Sequence, residues 1–151
     1  MRKIVIPVVI ILVAVLVYLG YAQFSGGAVP TFGLPIGGEK AKVRHRVSTF
    51  FEDVKFKNIA GLKELVSSSV SQEGVLLYLE KGLGLGPNQD LSHVSIEGIE
   101  LDKDEKRARV KVMLTGQDLA TRKPFNIEKL LFLYAAENDR WLIDTAAYPN
   151  L

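Results

Sequence analysis

The first long pattern in the chain is an uninterrupted apolar run near the N-terminus. Residues 4–22 contain no charged side chain, and this run of 19 residues has the length of a membrane-spanning helix. At about 1.5 Å per residue it reaches roughly 30 Å, the thickness of a bilayer's hydrocarbon layer. The pattern predicts a single transmembrane anchor over residues 1–22.

The basic residues around this run predict its orientation. Arg2 and Lys3 precede it, and the next basic residue is Lys40. Cytoplasmic flanks carry the excess of basic residues, so we expect a cytoplasmic N-terminus and a periplasmic or extracellular C-terminal domain. The alternative is a cleaved signal peptide with Gly20-Tyr21-Ala22 at the cleavage site. The run is longer than the usual signal core of about 7–15 residues, which favours an uncleaved anchor.

Residues 23–38 predict a Gly/Pro-rich tether. This segment has five glycines, two prolines and no charge, a composition that disfavours a regular element. It also contains apolar side chains, among them Phe24 and Phe32, which are unusual for a freely solvated linker. We expect these side chains to contact a bilayer surface or a partner protein, or else to pack on the chain's own domain.

Apolar residues at helical spacing follow the tether. Val43, Val47, Phe50, Phe51 and Val54 form one stripe, which predicts an amphipathic helix over residues 39–57. Two shorter helices are predicted next. The apolar side of the first is Ile59, Leu62, Leu65 and Val66, and that of the second is Val75, Leu76 and Leu79, with Gly82 ending it. The glycine-rich residues 82–87 are predicted to be a flexible connector.

After Asp90 the spacing changes to an alternation of two. Four strands are predicted, over residues 94–101 with a bulge at Gly98, and over 107–114, 125–136 and 141–148. Helices followed by an antiparallel meander indicate an α+β domain over residues 39–151. We expect its helices to pack on one face of a curved four-stranded antiparallel sheet.

Two segments of this domain resemble one known superfamily. The opening VRHRVSTFFEDV leading into NIAGLKEL, and the ending FNIEKLLFLYAAENDRWLIDT, are similar to the nuclear transport factor 2-like, or cystatin-like cone, proteins. The resemblance implies a long helix across a bent sheet, with a pocket between them. Members with an N-terminal membrane helix resemble assembly factors and accessory subunits of membrane complexes, although the superfamily also contains enzymes.

Charge and composition exclude several classes of function. Two of the 19 basic residues precede the apolar run, which leaves 17 against 17 acidic residues, so the domain is neutral and no nucleic acid is expected as a partner. The chain has no cysteine and only two histidines, His45 and His93, far apart in sequence. We therefore expect no disulfide, no metal site and no cofactor.

No catalytic residue is predicted, and a few residues are candidates for a pocket. Asp144 interrupts an apolar final strand and would act as a general base only if burial raised its pKa. Trp141 and Ile143 should share one side of that strand, which turns Asp144 to the other. Asp144, Tyr134 and Trp141 are the candidate pocket residues. His45 is interpreted as a solvated side chain. His93, which precedes the first predicted strand beside Ser92 and Asp90, is interpreted as a loop residue, with a general base oriented by Asp90 as the alternative.

Two basic stripes have alternative interpretations. Lys40, Lys42, Arg44 and Arg46 open the first helix of the domain, where they would contact anionic lipid headgroups or simply form a solvated helix face. The second stripe, on one strand, consists of Arg107, Arg109 and Lys111, and it is predicted to pair with Glu97 and Glu100 on the neighbouring strand.

These patterns lead to a functional hypothesis. We expect the protein to be a non-enzymatic, membrane-anchored accessory or assembly subunit that binds integral-membrane or periplasmic proteins through its helix and outer domain. The alternative is a small-molecule binding or isomerase-like domain that uses the cone pocket.

Overall fold

The computed structural model describes residues 2–30, 36–136 and 140–147. The elements are α1 (Arg2–Phe24), α2 (Gly38–Lys55), α3 (Ile59–Leu65), α4 (Gln72–Leu77) with a π-helical turn (Tyr78–Gly82), β1 (Gln89–Leu101), β2 (Arg107–Asp118), β3 (Pro124–Ala136), β4 (Arg140–Ile143) and a 3-10 turn (Thr145–Ala147). The chain divides into two compact units, Met1–Arg44 and His45–Leu151, whose border falls within α2. The predicted α+β class is confirmed.

The first unit is dominated by α1. From Val8 to Val17 its large apolar side chains are at least half exposed, and Val17, for example, is 67% exposed. Among the described residues, α1 is the one helix long and apolar enough to cross a membrane, over Pro7–Phe24. A helix of this kind is compatible with a membrane anchor or with a signal sequence. It continues to Phe24, slightly past the predicted end of the anchor at residue 22.

The end of α1 and the start of α2 pack against each other within the first unit. The Gly37 backbone N–H donates to Gln23 Oε1 at 2.8 Å, and Arg44 Nε donates to the Gly26 carbonyl at 3.2 Å. Gly37 has a φ of +102°, and a Cβ there would lie 2.7 Å from the backbone nitrogen of Gly27. We call this cluster the junction, and it consists of Gln23, Gly26, Gly27, Gly37 and Arg44. The described ends of the predicted tether are therefore held together by defined contacts.

The helices of the second unit follow the predicted apolar stripe closely. Val47, Phe50 and Phe51 of α2 are buried. The prediction that Leu76 lies on the buried side of α4 is wrong, because Leu76 is 45% exposed. The stripe of α4 continues instead through the π-helical turn, where Tyr78 is fully buried.

The sheet has the order β1-β2-β3-β4, with all neighbours antiparallel. Its four strands confirm the predicted meander, with different ends. β1 begins at Gln89 rather than at Val94, and it bulges between Ile96 and Gly98, next to the predicted position. β4 ends at Ile143, so the prediction of a strand over 141–148 is wrong for residues 144–147, and Tyr148 lies outside the described residues. The Asp144 carboxylate accepts from the Ala146 N–H at 3.0 Å and starts the 3-10 turn.

The two faces of the sheet differ in polarity. One face is buried, and its central rows are Ala108, Val110, Val112 and Leu114 on β2, Leu131 and Leu133 on β3, and Trp141 and Ile143 on β4. The opposite face carries the basic stripe of β2. Arg109 pairs with Glu100 of β1, as predicted, whereas Lys111 pairs at 2.7 Å with Glu128 of β3.

Candidate functional site

An apolar groove lies among the helices and the start of β1 in the second unit. Its volume is about 510 Å³, and it lies between the end of α2, α3, α4 with its π-helical turn, and β1. Its apolar lining includes the buried Leu62, Leu79 and Leu91 and the more exposed Val54, Ile59 and Leu76. Phe56, which is 80% exposed, lies in sequence between two residues of the groove rim.

The corner between α2 and α3 is fixed by Asn58. Its side-chain oxygen accepts from the Gly61 N–H at 3.2 Å, which caps α3, and its Nδ2 donates to Asp53 Oδ1 at 2.8 Å. A Cβ on Gly61 would overlap the Asp53 carboxylate, so the corner requires glycine there. This network positions Ile59 and Lys57 on one wall of the groove.

The opposite wall is the connector that follows the π-helical turn. The Leu85 N–H donates to the Leu79 carbonyl at 2.8 Å, and Gly84 has a φ of +71°. Lys129, on the helix-covered row of β3 opposite Val112, donates from Nζ to the Gly82 carbonyl at 3.1 Å. The connector predicted to be flexible is thus tied both to its own helix and to the sheet.

The rim of the groove carries balanced charge. Lys55 and Lys57 stand on the α2 side, and Glu80 and Asp90 stand on the π-helical turn and β1. Lys55 Nζ also donates to the Ser92 carbonyl at 2.8 Å. An apolar interior with both signs at the rim suits a ligand that is apolar along its length and has polar groups at its edges.

A second, smaller cavity lies beside the groove. It has a volume of about 210 Å³ and is lined by α2 residues such as Phe51 and Glu52 and by β1 residues such as Ser92 and His93. His93 is exposed, and it lies within β1 rather than in a loop before the first strand. His45 is exposed as well.

The structure does not bring the three candidate pocket residues together. Trp141 is buried on the helix-covered face of the sheet, whereas Tyr134 lies on the other face, in register with Arg107 and Leu142. Asp144 is half-buried just beyond β4, and its carboxylate accepts a hydrogen bond from Ala146 in the 3-10 turn. The groove is built instead from apolar helix residues such as Leu62 and Leu79, together with connector and β1 residues such as Leu85 and Leu91. Sequence patterns assign the helix residues to packing, and only the exposure of Leu76 in the structure distinguishes the groove.

The four cations that open α2 have different surroundings. Lys42 pairs with Glu39 at 2.6 Å, and Arg44 bonds to Gly26 in the junction. Partial burial lowers the pKa of Arg44, and burial together with the nearby Arg140 lowers that of Arg46. Lys40 is exposed.

Of the two predicted apolar contact residues, Phe24 is described and Phe32 is not. Phe24 ends α1 and is 93% exposed. Phe32 lies outside the described residues.

Hydrogen bonding favours the ionised form of one carboxylate at a sheet turn. Asp118 ends β2, and its Oδ1 accepts from the Thr121 N–H at 2.8 Å and from the Thr121 hydroxyl at 3.0 Å. Its Oδ2 accepts from Gln89 Nε2 at 3.0 Å. These bonds, those from Thr121 foremost, lower the pKa of Asp118.

Neither metal chemistry nor known relatives add to this description. In the part of the chain that the structure describes, no three His, Asp or Glu side chains are grouped so that they could hold a metal ion. No family model matches the sequence, and no curated protein or solved structure matches it either.

Proposed function

We propose that the protein is a non-enzymatic, single-pass membrane accessory or assembly subunit that binds a partner protein through the apolar groove. The groove is the observation that carries this proposal. Leu76 remains exposed in its wall, and the described part of this unit leaves few other large apolar side chains exposed. Contiguous exposed apolar surface with a polar rim is typical of a binding site.

The proposed occupant is an apolar segment of an integral-membrane or periplasmic protein. Such a segment would cover the leucine and isoleucine walls and leave its polar edges to the lysines and carboxylates of the rim. The uncleaved α1 would keep the domain at the membrane and associate laterally with the complex. The proposed orientation has Arg2 and Lys3 in the cytoplasm and the domain outside.

Site-directed photocrosslinking in native membranes tests the partner. A photoreactive residue at Ile59, in the groove wall, should give a discrete adduct with another membrane or periplasmic protein. The same residue at Lys103, in the β1–β2 turn, is the matched control and should give none. Adding Leu76→Asp to the Ile59 probe should abolish the adduct, because it places a charge in the apolar wall.

Two results would contradict the proposal. One is a chain that runs alone after gentle solubilisation, and the other is a groove adduct that survives Leu76→Asp. Orientation is tested separately with reporters fused to each terminus. Mass measurement of the purified chain then shows whether α1 is retained.

A second candidate function is small-molecule binding, as the resemblance to cone-fold proteins implies. The specific observation in its favour is the groove volume, about 510 Å³, which falls within the common range for ligand pockets of about 300–1,000 Å³. An isomerase-like reaction would need a titratable group at the groove, where Glu80 and Asp90 stand. Native mass spectrometry of the full chain distinguishes the two, since a retained small-molecule mass lost in Leu76→Asp would favour this candidate.

A further inference from the structure

The junction brings two cations to the end of the apolar helix. Lys40 is far from α1 in sequence, yet its Cβ is 2.7 Å from where a Cβ on Gly26 would stand. Arg44 Nε donates to the carbonyl of that same glycine at 3.2 Å. Gly26 follows shortly after Phe24, where α1 ends. Both cations therefore lie at the level where α1 would leave a bilayer.

The two cations are suited to an anion in different ways. Lys40 and Arg44 are four residues apart on α2 and so share one face of it. The guanidinium uses its Nε for Gly26 and still has N–H donors on its terminal nitrogens. Lys42, between them in sequence, is neutralised by Glu39 at 2.6 Å.

Aromatic side chains stand at the same end of α1. Tyr21 is 62% exposed, and Phe24 is still more exposed. The Tyr18 hydroxyl donates to the Pro30 carbonyl and so ties the loop back onto the helix. Aromatic residues concentrate at the headgroup level of membrane proteins, which is also where anionic phosphates lie.

We propose that Lys40 and Arg44 bind the phosphate of an anionic phospholipid where α1 leaves the membrane, with Tyr21 and Phe24 at headgroup depth. This inference rests on the anchor role of α1 and is independent of the groove. The junction would then hold the start of α2 at the membrane surface.

The test uses the full chain in nanodiscs of phosphatidylcholine, with or without phosphatidylglycerol, after mass measurement shows that α1 is present. Native mass spectrometry counts the phosphatidylglycerol molecules that stay bound on release from the disc. We expect enrichment over the bulk lipid for the native chain. For Lys40→Gln with Arg44→Gln we expect about 30-fold weaker retention, from the usual contribution of two cations near a charged surface.

Two further variants keep the test decisive if loss of Arg44 disturbs the junction. Lys40→Gln alone leaves the Arg44–Gly26 bond in place and should weaken retention about fivefold. Lys103→Gln with Lys106→Gln, in the β1–β2 turn, is the matched control and should retain the lipid as the native chain does.

Equal retention by the native chain and the double variant would overturn the inference. So would inorganic phosphate that displaces the lipid at matched ionic strength, because that result would assign the pair to a free anion. A failed groove crosslink would leave this result untouched, so the failures of the two proposals can be told apart.

Discussion

The two units of the chain place the same kinds of residue in opposite surroundings. In Met1–Arg44, most of the described valines and leucines of α1 are at least half exposed, as Leu16 and Val17 show. In His45–Leu151, such residues form stripes that are buried, as Val47 and Leu131 show. A helix that is apolar all round needs an apolar solvent, whereas a one-sided stripe needs a protein core.

Because of this contrast, we expect a substitution in one unit to leave the stability of the other unchanged. The second unit has a core that forms in water, and its free energy of unfolding depends on packing. As a membrane anchor, α1 would depend on the bilayer for its stability. Each variant below is designed to affect one unit and to leave the other unchanged.

Trp141→Ala should have the largest effect. The indole is buried on the helix-covered face of the sheet, and its removal leaves a cavity that should cost about 3–5 kcal/mol of unfolding free energy. Denaturant unfolding of the full chain in detergent, followed by circular dichroism, measures this loss. Extraction of the protein from membranes should not change. Leu119→Ala, at an exposed turn, is the control and should change stability by less than about 0.5 kcal/mol.

Leu16→Arg should weaken the membrane insertion of the first unit and leave the folding of the second unit unchanged. Leu16 lies near the middle of the span Pro7–Phe24, where an arginine opposes insertion by about 2.5–3.5 kcal/mol. We expect a larger fraction of the protein to be released by alkaline carbonate, while denaturant unfolding of the second unit stays as in the native chain. Leu16→Ile should behave as the native protein. A variant that stays fully membrane-bound would argue against α1 as the anchor.

Gly37→Ala should weaken the junction. The left-handed φ of +102° and the contact with Gly27 would impose strain of about 1–3 kcal/mol. Amide hydrogen exchange should accelerate in the peptides on both sides of the junction and stay constant in the sheet. Gly38→Ala is the matched control, because its φ is also positive but no atom lies within 4 Å of the added Cβ. Equal exchange in the two variants would contradict the close packing of the junction.

Asn58→Ala should have a smaller effect, confined to the second unit. It removes the α3 cap and the bond to Asp53, and caps of this kind contribute about 1 kcal/mol. Denaturant unfolding measures the change, and Ser68→Ala in an exposed turn is the control. The groove crosslink from Ile59 should weaken too, since Asn58 fixes the corner that carries that residue.

Asp118→Asn should have the smallest effect, visible as a change in pH dependence. The folded-state pKa of Asp118 is lowered, so its contribution to stability is complete above the unfolded value of about 3.9 and is lost as pH falls through the folded value. From about pH 5 to pH 3 the unfolding free energy of the native chain should fall more steeply than that of the variant. Parallel curves would contradict the assigned hydrogen bonds.

The parts of the fold that depend on local pattern could be predicted from the sequence. The stripe of α2 and the clean alternation of β2 are examples, because each depends on one face of one element. The start of β1 could not be predicted in this way. Leu91, Val94, Ile96 and Ile99 all pair with helix-facing positions of β2, yet bulges between Leu91 and His93 and between Ile96 and Gly98 break the alternation twice.

The groove could not be predicted from the sequence either, and the physical reason is different. Its walls come from α2, α3, the π-helical turn and β1, and no local spacing specifies how those elements meet. Leu76 is the instructive residue. Helical periodicity alone places it beside Val75 and Leu79, but the π-helical turn shifts the buried stripe to Tyr78 and leaves Leu76 facing outward.

The bulges of β1 have a consequence for how the protein meets other chains. β1 is a long strand at the edge of the sheet, and such a strand is a template for uncontrolled pairing with a second strand. Its pairing with β2 is interrupted by two bulges, and at the first of them Lys55 Nζ donates a hydrogen bond to the Ser92 carbonyl. A second strand would therefore find only short uninterrupted stretches of this edge to pair with, which protects the edge against aggregation.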